Sequence, residues 1–355
     1  MNPGSDLWPK PLKIVRLFLF TVVLIPLLQA CNARHELAIE SENFEFIELG
    51  DGVYSCIHKF GGKAICNVGI VDNGRETIIF DSFLSPEVAQ ELWDGLAKMD
   101  LSPVKYVVNS HFHNDHIRGN QVFPKEVTII STSRTKELIE EEEPLQLAYE
   151  KAQAPARFQH YDSLYRSFKG DLQSREFKKI LMWRPYYETL SESHRKVKTR
   201  LPDMYVDSIH EFDGPARKVQ LISKGPGHTE SDLILYLPED EVVFAGDLIF
   251  NRSHPYLGDG NIPRWKDWLE FLDSLRIKTL MPGHGEIGTA ELIVEMKKYL
   301  KNIELSAKGM ANTMLSNQDS LDIQIPDEYK DWWFDRFYEY NLRFALESLE
   351  MEESN

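Results

Sequence analysis

Residues 111–116 read His-Phe-His-Asn-Asp-His, so four metal-capable side chains fall within six positions. His111 and His113 point the same way off an extended backbone, and Asp115 and His116 then turn toward a second position. Mixed imidazole and carboxylate ligands suit zinc, and this spacing suits two divalent ions held side by side. Further ligands must come from elsewhere in the chain, and three residues offer themselves. His228 lies in GPGHTESD, Asp247 closes the run VVFAGD, and His284 lies in MPGHGEIG. Each sits at the exit of an expected strand or on the loop that follows, where rigid scaffolds place functional groups. Glycines beside His228 and His284 allow the tight turns that such positions require.

The elements that must position these residues are legible as apolar runs. The segment from Phe44 to Phe80 reads as strands (FEFIEL, GVYSCIHKF, AICNVGIVDN, TIIFD), and Pro86–Lys98 as a helix. Lys105–Asn109 is a short β-branched run directly before the histidine motif, and Val127–Ser131 is another. From about 134 to 200 the chain turns rich in Glu, Lys, Gln, Leu and aromatic residues at helical spacing, which predicts a helical insertion. Its charge runs, such as Glu140–Glu143, read as solvated helix faces. Strands resume at His210–Phe212, Lys218–Ser223, Asp232–Leu237 and Val242–Ala245. A helix over Trp265–Leu275, a strand at Thr279–Met281 and a helix over Ala290–Lys301 follow. A polar, aromatic-rich helical segment at about 326–350 closes the chain, with Trp332, Trp333, Phe334, Phe337 and Tyr338 read as core or dimer packing and, as the sharper alternative, a lid.

HFHNDH, GPGHTESD, Gly246-Asp247 and Pro282–Gly285, in that order, resemble the metallo-β-lactamase superfamily. The resemblance implies a four-layer αββα sandwich, here with a helical insertion and a C-terminal helical extension, and a metal site along one edge. It implies that one zinc takes His111, His113 and His228, that a second takes Asp115, His116 and His284, and that Asp247 bridges both together with a hydroxide. β-Lactamases of the family lack this bridging Asp, whereas its hydrolases of thioesters, lactones and phosphoesters keep it, so the superfamily name does not by itself state the activity. The segments around NRSHPYLGDG and GGKAICNVGIVDN also look like an exported branch found near quinoprotein dehydrogenase systems.

The expected function is a binuclear zinc hydrolase. A bridging water with its pKa lowered to about 7 attacks an ester, thioester, lactone or amide carbonyl of a small substrate. Asp115 is both ligand and candidate catalytic residue, orienting the nucleophile or shuttling its proton. His254 and Tyr256, close behind Asp247, are candidates to line the substrate pocket, and Lys224, the basic residue nearest His228, is a candidate anion contact. Ser110, Thr229 and Asn109 are candidates to steady the imidazoles. His35, His58, His160, His194 and His210 lie outside the motifs and read as surface or hydrogen-bonding residues. Three alternatives remain open: a mononuclear iron enzyme of persulfide-dioxygenase type, a non-catalytic metal-binding lipoprotein accessory to a quinoprotein system, and a phosphodiesterase, since two metals side by side also suit in-line phosphoryl displacement.

Composition narrows the classes further. The 355 residues carry a net charge of −16, which argues against a nucleic-acid partner. Three cysteines exclude both a disulfide-stapled miniprotein and a site of four thiolates. Lys10, Lys13 and Arg16 precede the apolar run Leu17–Leu28, too short for a bilayer core that takes about 20 residues. Leu28-Gln29-Ala30-Cys31 then looks like a bacterial lipobox, so residues 1–30 are expected to be a signal peptide, Cys31 the lipidated residue and 31–42 a tether. This predicts an exported lipoprotein facing the periplasm, with Asn32 weakly favouring the outer membrane. The metallo-β-lactamase-like domain is expected over 43–300 and the helical extension over 301–355, with a homodimer possible. Cys56 and Cys66 are expected on adjacent strands of a hairpin turning at Gly61-Gly62, either as a disulfide or as two thiols.

Overall fold

The computed structural model describes residues 39–316 and 323–353. The expected signal peptide, Cys31, His35 and most of the tether lie outside the described residues. Two sheets carry the fold. The first runs in the order of the chain: β1 (Phe44–Gly50), β2 (Val53–His58), β3 (Val68–Asp72), β4 (Thr77–Phe80), β5 (Val104–Val108), β6 (Thr128–Ser131) and β7 (Met204–Tyr205). β1 to β4 are antiparallel, and β4 to β7 are parallel. The second is formed by β8 (Ile209–Asp213), β9 (Lys218–Gly225), β10 (Asp232–Leu237), β11 (Val242–Phe244) and β12 (Thr279–Met281). Its order is β12-β11-β10-β9-β8, and only the β11–β12 pair is parallel.

The central strands are continuous apolar runs because both their faces are covered. Between the sheets, Val71, Ile78, Phe80 and Val108 pack on Leu221, Leu233, Leu235 and Phe244. The approach is closest at Gly69, where a Cβ would fall 2.4 Å from the Phe244 ring. On the outer face of the first sheet lies α1 (Pro86–Leu96), with Val88 and Leu92 buried against Ile70 and Ile79. The metal-motif turn α2 (Asn114–Ile117) follows β5 and runs into a 3-10 turn at Arg118–Val122. The insertion is a hairpin of two long helices, α3 (Ser133–Ser167) and α4 (Arg175–Lys196). Thr132 and Ser174 start them by accepting hydrogen bonds from the amides of Thr135 and Phe177. On the outer face of the second sheet, α5 (Ile262–Ser274) and α6 (Glu291–Ser316) bury Trp265, Trp268, Met296 and Tyr299. The chain closes with α7 (Arg336–Glu353). The layers are therefore helix, sheet, sheet, helix, the αββα sandwich expected.

Three local expectations are corrected. Cys66 is not on a strand paired with Cys56: β2 ends at His58, Cys56 pairs with Val68, and residues 59–67 form a loop. Both thiols are buried and free, and Cys66 donates to the Asp115 carbonyl at 2.8 Å. The helix expected to stop at Lys301 continues to Ser316, because its buried stripe runs on through Ile303 and Ala307. Trp332, Trp333 and Phe334 precede the last helix rather than lying on it. Trp332 and Tyr338 join the core, while Phe334 and Phe337 face the cavity described below.

The insertion is fastened to the metal-motif turn by buried charge. Arg118 donates to Glu143 and to Glu150 of α3, each at 2.9 Å. Glu150 also accepts from Asn114 of α2 at 2.9 Å and from Ser193 of α4. One guanidinium thus serves two buried carboxylates, and burial lifts the pKa of Glu143 despite the attraction of Arg118. Arg118→Ala would leave both carboxylates uncompensated and is expected to cost about 3–5 kcal/mol. Denaturant unfolding followed by tryptophan fluorescence measures this, and a loss below about 1 kcal/mol would show that the network is not a stabilising clamp.

Candidate metal centre

Seven side chains converge where the carboxyl ends of the two sheets meet. β5 delivers His111 and His113, and α2 delivers Asp115 and His116. The β9–β10 turn delivers His228, the 3-10 turn after β11 delivers Asp247, and the loop after β12 delivers His284. Their donor atoms form two groups, each within 4.8 Å: His111, His113, His228 and Asp247, and then Asp115, His116 and His284. Asp247 reaches across both. Its Oδ2 lies 3.3 Å from His228 Nε2 and 3.5 Å from His284 Nε2, and its Oδ1 lies 3.2 Å from His116 Nε2. The approach is possible because residue 283 is glycine: a Cβ there would fall 1.9 Å from Asp247 Oδ1.

Hydrogen bonds on the far side of four of the five rings decide which nitrogen faces the centre, and His228, whose buried Nδ1 has no partner, is the exception. Asp81 is the hub for two of them. Its carboxylate accepts from Ser110 N (2.8 Å), Ser110 Oγ (2.9 Å) and His116 Nδ1 (2.8 Å). Ser110 Oγ, its proton given to Asp81, accepts from His111 Nδ1 at 2.8 Å. His284 Nδ1 donates to the Ile65 carbonyl at 3.1 Å, and His113 Nε2 donates to Asp259 at 2.9 Å. In their neutral forms His111, His116 and His284 therefore carry the lone pair on Nε2, and His113 carries it on Nδ1. Ile65 and Asp81 hold these positions with φ of 71° and 66°, in the left-handed region that non-glycine residues seldom adopt.

The donor set fits a cation. His111 Nε2, His116 Nε2 and Asp247 Oδ1 are buried and lack a hydrogen-bond partner, although the last two are only 3.2 Å apart. Unpaired buried polar atoms cost about 1–3 kcal/mol each, and a shared metal ligation removes that cost. In the metal-free protein, burial drives His111 well below its ordinary value and His228 to about 3. For His116 and His284 burial is outweighed by the facing carboxylates, Asp247 foremost, and His284 rises to about 9. Burial acts to raise Asp115, but His116 and His284 bring it down to about 2.

The other candidates separate clearly. Asn109 steadies the motif through the backbone, donating to the His116 carbonyl at 3.0 Å. Thr229 binds the buried Asp232 at 3.0 Å and so shapes the turn that carries His228. Tyr256 lines the cavity beside the centre, 6.2 Å from His113 between ring centres. His254 touches that cavity, but both its nitrogens are engaged, with Tyr299 Oη at 3.0 Å and the Tyr329 carbonyl at 3.2 Å, so it serves as wall. Lys224 is corrected: it lies outside the cavity, its Nζ 4.7 Å from the Phe271 ring, because its place on β9 points it toward α5. His58 is a neighbour of the centre, 6.1 Å from His284 between ring centres. Three contributors escaped the sequence reading: Asp81, Asp259 and Asn67. Asn67 donates to the carbonyls of Pro282 (2.9 Å) and Gly285 (2.8 Å), tying the first sheet to the His284 loop.

Ligation requires neutral imidazole, so metal must displace the protons that His116 and His284 carry at neutral pH. Loading the metal-free protein at pH 7 is expected to release protons, and the release is expected to fall as pH rises through about 9, the value for His284. Calorimetry in buffers of different ionisation enthalpy reads this directly. Loading without proton release at pH 7 would contradict it.

Comparison with known proteins identifies the family. The model of the metallo-beta-lactamase superfamily matches residues 61–284. A metallo-beta-lactamase type 2 of Bacillus cereus is 24% identical over 259 residues, covering 70% of this chain and 78% of that relative. A metallo-beta-lactamase type 2 of Pseudomonas aeruginosa is 32% identical over 94 residues, covering 26% and 38%. The solved structure of a metallo-beta-lactamase from Pontibacter korlensis superposes with a TM-score of 0.52 at 17% identity, covering 73% of this chain and all of that one. With its fold, its motifs in order and its convergent histidines and aspartates, the chain belongs to the metallo-β-lactamase superfamily.

Proposed function

We propose that this protein is a metal-dependent hydrolase that holds two zinc ions and cleaves an ester, thioester, lactone or amide carbonyl of a small substrate. The observation that carries the reading is the reach of Asp247, whose carboxylate lies within 3.5 Å of imidazoles from both donor groups. His111, His113 and His228 would hold one ion, Asp115, His116 and His284 the other, and Asp247 both. When bound, such a pair supplies Lewis acidity and brings the pKa of a water down toward neutrality.

The chain's own residues account for the rest. Asp115 lines the cavity, and the neighbouring imidazoles keep it ionised, so its carboxylate orients the nucleophile by accepting its hydrogen bond. Asp81 and Asp259 keep three of the rings in the ligating tautomer and increase their basicity. The ring of Phe250, stacked 5.2 Å from His284, keeps water from one side of the centre. A β-lactam is a cyclic amide, and the relatives named above place it on the panel of substrates to test. The leader ending Leu28-Gln29-Ala30-Cys31 supports a setting outside the cytoplasm with a lipid anchor at Cys31.

Elemental mass spectrometry of the purified protein tests the proposal first. Two zinc ions per chain are expected, and one iron with no zinc would overturn it. Asp247→Ala is expected to lose one ion and to lower turnover at least roughly a hundredfold while the protein stays folded, since even groups outside the ligand set typically contribute 10–100-fold. Unchanged metal stoichiometry in that variant would refute the bridging role.

A further inference from the structure

We infer that the cavity over the metal centre selects substrates whose group distal to the reacting carbonyl is apolar or cationic, and rejects those in which it is anionic. The reacting carbonyl is that of the proposed hydrolase, whereas the charge selection stands on the cavity walls alone.

The cavity has a volume of about 500 Å³, room for a ligand much larger than the bond to be cleaved. Its walls come from the two additions to the sandwich and from the loop after Asp247. The insertion supplies Trp183 and Tyr186, and the C-terminal extension supplies Phe334 and Phe337. Trp183 and Phe334 meet edge to face at 5.3 Å, and Phe334 stacks on Phe337 at 5.9 Å. Tyr256 continues the wall, 5.7 Å from Phe337. These rings enclose a space suited to a flat or bulky apolar group, and their faces are also attractive to a cation.

The charged residues of the walls all carry one sign. Apart from the four candidate ligands that line it, His113, Asp115, Asp247 and His284, they are Glu142, Glu143 and Asp259, and among the described residues that line the cavity there is no lysine or arginine. Glu143 is neutralised by Arg118. Glu142 is exposed on α3, and Asp259 is held by His113 with its carboxylate partly exposed. The cations nearby are engaged elsewhere. Arg118 lies buried between Glu143 and Glu150, and Arg336 lies over Trp183 at 5.4 Å while donating to Tyr187 Oη. Lys224 is turned toward Phe271. Arg157, behind the wall, is engaged with Tyr149 Oη at 2.8 Å, so an anionic group on the side away from the metals would give up its hydration, meet Glu142 and Asp259, and find no lysine or arginine among the lining residues.

The test uses the full-length, metal-loaded protein and three matched metal-binding probes measured by calorimetry. They are benzohydroxamic acid, its 4-carboxylate and its 4-trimethylammonium derivative, so the added charge lies on the side of the ring away from the metal. The neutral and cationic probes are expected to bind at least roughly fivefold tighter than the carboxylate, the size of one unfavourable charge contact in a partly solvated site. Glu142→Lys, at an exposed helical position, is expected to narrow that gap. Equal or tighter binding of the carboxylate, no binding of any probe, or an unchanged gap in Glu142→Lys would overturn the inference. Hydrolysis of phenyl acetate against 4-carboxyphenyl acetate separates it from the hydrolase reading. If neither these esters nor a panel of thioesters, lactones and β-lactams is cleaved while the binding order holds, the hydrolase reading fails and the selection stands. Cleavage with preference for the carboxylate leaves the hydrolase reading and removes the selection.

Discussion

A carboxylate with almost no access to water, Asp81, controls the orientation of the donors on the first sheet. It accepts from His116 and, through Ser110, turns His111 as well, so both rings present a lone pair toward the same point. Burial raises its pKa, and the hydrogen bonds from His116 and Ser110 act in the other direction. The backbone gives up a comfortable conformation at Asp81 to place it. Histidine donors aimed elsewhere would leave Asp247 as an unpaired buried charge.

The second constraint is the meeting of two sheets. Donors from β5 and α2 belong to one sheet, while His228, Asp247 and His284 belong to the other. Packing of Phe80 and Gly69 against Phe244 sets the separation, and Asn67 binds the first sheet to the loop of His284. Gly283 then lets the Asp247 carboxylate enter between donor groups that a side chain would keep apart. A rigid, apolar sandwich thereby supports a polar site at its rim, the usual division between scaffold and function.

The insertion and the C-terminal extension share one consequence. Among their described residues neither supplies a donor to the two groups, yet both build the space above the centre, with α4 and the stretch around Phe334 in contact through Trp183. The buried cluster of Arg118, Glu143 and Glu150 holds α3 against the same short turn that carries Asp115 and His116. The wall of the cavity and the turn that carries Asp115 and His116 are therefore joined by one buried charge cluster.

The sequence alone singled out the candidate donor residues and the strand and helix runs, whereas the layer order entered through the resemblance to a known family. Seven histidines and aspartates at strand exits stand out because few other roles ask for that spacing, and continuous apolar runs such as DLILYL mark strands covered on both faces. It left Asp81, Asp259 and Asn67 invisible, since a lone Asp or Asn carries no periodicity and acquires its role only from what the fold sets beside it. Lys224 looked well placed by its distance along the chain, and the direction of its strand sent it to the opposite face. Cys66 and Phe334 likewise owe their surroundings to loops whose path no local propensity dictates. Residue type and spacing express local chemistry, but which way a side chain points, and what it meets there, is settled by packing between segments distant in sequence.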